Sequence, residues 1–240
     1  MKAQQRGQKN YQAIVPAITQ SNKNRTTDSM NDMRARAVSQ FPIVLLTLIS
    51  IIQALALELL WSKISDSDFL WNFDIKALVG WGMLSVALMG ILQIWVMYST
   101  IVIGFTWRPS LRDSVLPFVI GIQQFMMIST ISPTFNVMWL YVLASIFLVG
   151  NGVAHITYKR ARADTNNDLF FKGRDPATFK NFAGPFLIIS MLVGLGMLST
   201  VLDDPNWLVL TAIVFANGAL AMQIILSRAL WAAIMNLEAD

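Results

Sequence analysis

Glu58 and His155 are the two side chains within long apolar stretches of this chain whose chemistry could go beyond packing. Polar groups in hydrocarbon are costly, so each one needs a reason to be there. Glu58 is the only acidic residue inside any such stretch and stands three positions before Trp61. A carboxylate there could draw cations into an outer vestibule; the plainer reading is an ionised group solvated at a helix end. His155, the single histidine, comes just before Tyr158-Lys159-Arg160. It could sense protons, or simply end a helix at the interface. The other polar members are neutral: Thr47, Ser50, Gln53, Gln93, Gln123, Gln124, Asn151, Asn217 and Gln223. Amides of this kind most often join helices by interhelical hydrogen bonds, worth about 0.6 kcal/mol each. The pairs Ser190/Gly194 and Ala212/Ala216 have the spacing that suits close helix approach.

Much chemistry is excluded. Cysteine is absent, which removes disulfides, thiolate metal sites and thiol nucleophiles. One histidine cannot supply paired haem ligation or a multi-histidine metal site. The chain has no Walker A loop, no H-E-x-x-H pair, no T-V-G-Y-G filter and no arginine-repeat voltage sensor. No apolar stretch carries paired carboxylates for a proton relay or a mid-helix lysine for a Schiff base. The sequence therefore predicts neither an enzyme nor a cofactor-dependent protein, and no metal site.

Positioning these groups falls to six apolar runs. Hydrophobic residues make up 55% of the chain and charged ones 13%, with a mean hydropathy of +0.54. A soluble domain carries about 25% charged residues. The apolar residues here come in blocks of about 20, enough to cross about 30 Å of hydrocarbon. The runs are Phe41–Trp61, Val79–Thr106, Ser114–Ile131, Val137–Tyr158, Phe182–Leu202 and Trp207–Trp231. The expected fold is all-α, a polytopic bundle of about six transmembrane helices filling residues 41-235. A polar, basic cytoplasmic segment (1-40) precedes it and a short cytoplasmic tail (236-240) follows. The first run is too long for a signal-peptide core and is expected to act as an uncleaved anchor. Residues 1–33 lack sustained apolar periodicity and are expected to stay unpacked. Linkers at Ser132–Asn136 and Asp203–Asn206, with Pro133 and Pro205 in them, predict two antiparallel helical hairpins.

Charge orients the spans. With the N-terminus inside, only Lys63 and Lys76 of the 18 basic residues fall outside. That asymmetry predicts N-in/C-in topology. The outer loops hold Asp66, Asp68, Asp74, Asp203 and Asp204. A net charge of +4 does not point to nucleic acid, because the basic residues flank helix ends. There anionic lipids attract them by about 1 kcal/mol each. The expected partner is the lipid bilayer. Trp61, Trp71, Trp81, Trp107, Trp139, Trp207 and Trp231 mostly fall near span ends, as an aromatic belt does.

Directly before the first run the chain reads Arg34-Ala-Arg-Ala-Val38-Ser39-Gln40. This resembles the R-x-x-x-F-S-D stretch that opens helix 1 in the six-span lysosomal potassium channel family and its bacterial relatives. Arg34 and Ser39 match, Val38 stands for Phe and Gln40 for Asp. Trp107-Arg108 and Ser132-Pro133-Thr134 also look similar to the bacterial members. The resemblance implies an oligomeric cation channel of the bacterial inner (cytoplasmic) membrane. Helix 1 would line a potassium-permeable pore, with Leu45, Leu48 and Ile52 as its constriction. Such a neck gates by hydration rather than by a carbonyl filter. A second class open to this composition is a non-conducting accessory or scaffold subunit, partnered by copies of itself or by a membrane complex, and a small-solute carrier with a purely neutral binding site also fits it. Leu45, Leu48 and Ile52 fall at i, i+3 and i+7 on one helix face, with Ile49 adjoining. A pore would place that stripe on a symmetry axis; a plain bundle would bury it within one chain.

Overall fold

A computed structural model describes residues 2–107, 110–202 and 206–235, and of these all side chains except those of 2–31, Arg34 and Leu111. The chain forms two compact units, Met1–Phe41 and Pro42–Asp240. The first is helical over its described backbone and belongs to α1 (Lys2–Ser65). The expectation that residues 1–33 stay unpacked falls, up to Asn31, on side chains outside the described set. The tail 236-240 lies outside the described residues as well.

The second unit holds the rest of α1 and then α2 (Ile75–Gly104), α3 (Leu111–Ser129), α4 (Asn136–Arg162), the single turn α5 (Asp168–Phe171), α6 (Ala183–Ser199) and α7 (Asn206–Met235). Among the described residues there is no strand. Five stretches are long and apolar enough to cross a membrane: Ala35–Ser65, Ile75–Gly104, Asn136–Arg162, Phe179–Ser199 and Asn206–Met235. That is the make-up of a multi-pass integral membrane protein.

The expected third span, now α3, differs from the other five. Its 19 residues carry Asp113 in the first turn and Pro117 within the helix, together with Arg112, Gln123 and Gln124. Pro117 has no N–H, so the carbonyl of Asp113 loses its helical donor. At 1.5 Å per residue α3 still reaches about 28 Å, and its neighbours set its direction. Its first turn meets the end of α4 through Asp113 and Arg160, and its middle meets the middle of α4 through Gln123 and Ser145. The two helices are therefore antiparallel. Leu45 shares a small void with Leu116 and Ile101; with Gln53 paired to Gln124 this makes α1 and α3 parallel, and with Ser50 near Trp95 it makes α1 and α2 antiparallel. Tyr141 packs on Gly196 and His155 on Phe182, which makes α4 and α6 antiparallel. Ser85 with Asn217 and Gln93 with Ser227 make α2 and α7 parallel. Six helices thus alternate in direction.

The main hydrophobic core extends from the end where α4 begins. Val86, Ala87, Ile128, Ile131, Trp139, Leu140, Leu192, Val209, Ala212 and Ala216 are all fully buried there or near it. Asp74 caps α2 by accepting from the Ala77 N–H at 2.8 Å. The Trp81 indole donates to the Leu70 carbonyl at 2.9 Å and pins the short 3₁₀ turn Asp68–Trp71 to α2. Gly80 permits this, since a Cβ there would sit 2.6 Å from the Leu70 and Phe69 side chains. Trp61, Trp71, Trp81, Trp207 and Trp231 are exposed as a belt would have them, whereas Trp107 and Trp139 are buried in the bundle. Of the two small-residue pairs, Ala212/Ala216 is buried and Ser190/Gly194 is exposed. On α6 the close approach is made by Gly196 instead, where a Cβ would lie 2.9 Å from the Tyr141 ring.

Candidate functional site

Leu45 is 1% exposed, Ile49 0% and Ile52 6%, and Leu48 is half-buried. This stripe of α1 packs within its own unit. Ile52 presses on Gly121 of α3, where a Cβ would meet it at 2.7 Å, and Leu45 lines a small void with Met97 and Ile101 of α2. The opposite face of the same helix, with Ile43, Val44, Ile51 and Leu55, is open. In the first unit, Val38, Ser39 and Gln40 are exposed, and the Ser39 hydroxyl donates to its own helix at Arg36 O, 3.0 Å away. The side chain of Arg34 lies outside the described set. Glu58 is exposed near the end of α1. His155 is half-buried, its ring edge-on to Phe182 with centroids 5.0 Å apart.

The amides pair across helices. Gln53 and Gln124 exchange two hydrogen bonds, each Nε2 donating to the other Oε1 at 3.1 Å, and so tie α1 to α3. Gln123 Nε2 donates to Ser145 Oγ at 3.0 Å, and Ser85 Oγ donates to Asn217 Oδ1 at 2.8 Å. With water absent from the hydrocarbon, such pairs satisfy groups that lipid cannot; Asn151 and Asn217 also donate to their own helices at Phe147 O and Ile213 O, and Gln123 Oε1 is left without a partner.

A cavity of about 240 Å³ lies between α2, α3, α4 and α7. Its polar lining comes from Gln93, Tyr98 and Thr100, Gln124, Asn151 and Tyr158, and Gln223 and Ser227; the rest is mainly aliphatic. No charged residue lines it among the described ones. Gln93 is 5% exposed. Its Nε2 donates to Ser227 Oγ at 3.0 Å, and its Oε1 has no partner. Gly90 and Gly150 also line the cavity, and a Cβ at either would meet nothing within 4 Å.

At the Arg160 end of the bundle, charged groups form a clasp. Asp113 Oδ1 accepts from Arg160 Nη1 at 2.6 Å. Its Oδ2 accepts from the Ser110 N–H at 2.8 Å, the Ser110 hydroxyl at 2.9 Å and the Trp107 indole at 3.4 Å. Nearby, Asn167 Nδ2 donates to Thr106 O and Ala161 O, both at 2.7 Å, and Oδ1 accepts from the Thr106 N–H at 3.0 Å. Phe105 packs among Tyr158, Phe170 and Phe171. Arg162 lies over Phe171 at 4.6 Å and Arg174 over Phe170 at 3.9 Å, placements that favour a cation on a ring face. The clasp ties α3 to α4 and the end of α2 to the loop after α4.

No family model, characterised protein or solved structure matches this chain.

The sites therefore rest on geometry. Nucleophile, base and orienting group are nowhere assembled around the cavity, and among the described residues no three His, Asp or Glu gather as a metal site. The cavity offers a ligand neutral hydrogen-bonding groups set in an aliphatic wall. Gln93 stands out in the sequence as an intramembrane amide, but its unpaired oxygen does not. The Asp113–Arg160 clasp escapes a reading by apolar runs because Asp113 stands just before the third run. Its signal is Ser110-x-x-Asp113, a capping-box spacing at a helix start.

Proposed function

We propose that this chain is a six-span, N-in/C-in membrane protein that works as a non-conducting component of a membrane assembly rather than as a pore around helix 1. One observation carries this reading: the stripe that would form the neck already has its packing partners inside the chain. A hydrophobic gate must face a space that water can enter and leave. Leu45 and Ile52 face α2 and α3 instead. The alternating direction of the six long helices supports six crossings, and the basic asymmetry supports the orientation. The open face of α1, and the exposed α6 face with Phe186 and Leu187, are then left for lipid, for further copies or for other subunits.

Potassium flux into liposomes tests it, using wild type, Leu45→Asn and Leu48→Asn at matched protein amounts. None of the three should carry current. Leu45→Asn should also lower protein yield, since it buries an amide at a site that now holds an apolar side chain. Flux from wild type that rises on either substitution would overturn the reading, and would favour the channel that the Arg34/Ser39 resemblance implies.

A further inference from the structure

We propose that the cavity between α2, α3, α4 and α7 binds a neutral membrane lipid bearing a free hydroxyl, whose O–H donates to the unpaired end of Gln93. The site lies in the middle of the spans. Gln93 is residue 19 of the 30 in α2, and Ser227 stands past the midpoint of α7. At that depth a buried amide oxygen without a donor is costly, and buried polar groups nearly always find a partner. Gln123 Oε1, Asn136 Oδ1, the Trp139 indole N–H and the Ser199 hydroxyl are also buried without a partner, but none of those residues lines the cavity; among the unpartnered buried groups described, Gln93 Oε1 alone belongs to a cavity-lining residue.

The lining selects the ligand. Without a carboxylate or a cation among the described lining residues, the site offers nothing to a phosphate or an ammonium head. Desolvating such a head there would go uncompensated. A dry apolar cavity of about 150 Å³ takes a benzene ring; this one, at about 240 Å³, takes a glycerol or alcohol head and several methylenes. The remaining chain has an exit beside α7, whose rim residue Leu226 is 59% exposed. Two lipid sources share this chemistry, a diacylglycerol and a long isoprenoid alcohol. Whether helix 1 conducts does not enter the inference.

The test uses the full chain in phosphatidylcholine nanodiscs with two photoactivatable probes, a diazirine diacylglycerol and a diazirine isoprenoid alcohol. Labelled peptides are mapped by mass spectrometry. At least one probe should label the segments 90–100, 150–158 and 220–230, and the one that does so identifies the source. Unlabelled alcohol should displace it, and the O-methyl ether of the same lipid, which has no donor, should compete about tenfold more weakly. Gly150→Phe fills the cavity without meeting a neighbour at Cβ and should cut labelling at least about tenfold. Gly152→Phe, exposed on the same helix outside the cavity, should leave it unchanged. Gln93→Met should weaken labelling about five- to tenfold. If Gly150→Phe does not give monodisperse protein, Gly90→Leu fills the cavity from α2. Labelling by neither probe, equal labelling of the filled and control variants, or equal competition by alcohol and ether would each overturn the proposal. A site occupied only by water would give the first of these results.

Discussion

Replacing Asp113 by alanine should lower the apparent Tm of the detergent-solubilised protein by about 5–10 °C. The carboxylate is 8% exposed and its strongest partner, Arg160, stands 2.6 Å away. Alanine removes three things at once: the acceptor at the start of α3, the Trp107 contact and the counter-ion of Arg160. The lost cap costs about 1 kcal/mol. Breaking a fully buried ion pair by removing one partner costs about 3–5 kcal/mol. Arg160 keeps 30% of its side chain exposed and keeps its hydrogen bond to Ser110 Oγ at 2.9 Å, so water and Ser110 recover much of that. A loss of about 1–2 kcal/mol from the pair remains, and about 2–3 kcal/mol in all. For a protein of this size each kcal/mol moves Tm by about 2–4 °C. Tryptophan fluorescence during heating reads the change, with Trp107 next to the lesion. Asp113→Asn keeps an acceptor for the Ser110 N–H and should show about half the shift. A cycle with Arg160→Ala should give a coupling of about 1–2 kcal/mol. A shift under about 2 °C, or strictly additive single changes, would refute the view that this clasp holds α3 to α4.

Gln53→Leu leaves Gln124, which is fully buried, without a partner and should destabilise by about 1–2 kcal/mol; the double change to leucine should recover most of that, and a double variant no better than the single one would count against the amide pair as the joint. Reporter fusions within residues 66–73 and after residue 235 should lie on opposite sides of the membrane, and a shared side would mean that α3 or another helix does not cross.

The class of this protein was legible from composition and spacing, because the cost of exposing backbone and apolar side chains depends on each block of about 20 residues by itself. The helices at Asn136–Arg162 and Asn206–Met235 enclose the expected runs for that reason, and Pro133 stands in its turn as expected. The role of the amides as links between helices was legible too, since hydrocarbon offers a polar group no partner of its own. What the sequence left open was identity of partner. Gln53 finds Gln124 across 71 positions, and nothing local names that pairing over one with Gln123. Nor does periodicity show which face of α1 turns inward. In lipid both faces of a helix are apolar, so Leu45 and Ile43 look alike until the rotation of α1 against α2 and α3 is known. That rotation puts Leu45 at 1% exposure and Ile43 at 66%. Tertiary structure alone also decides that α4 and α7 stand apart beside Gln93, because a void is a property of several helices together and of none singly.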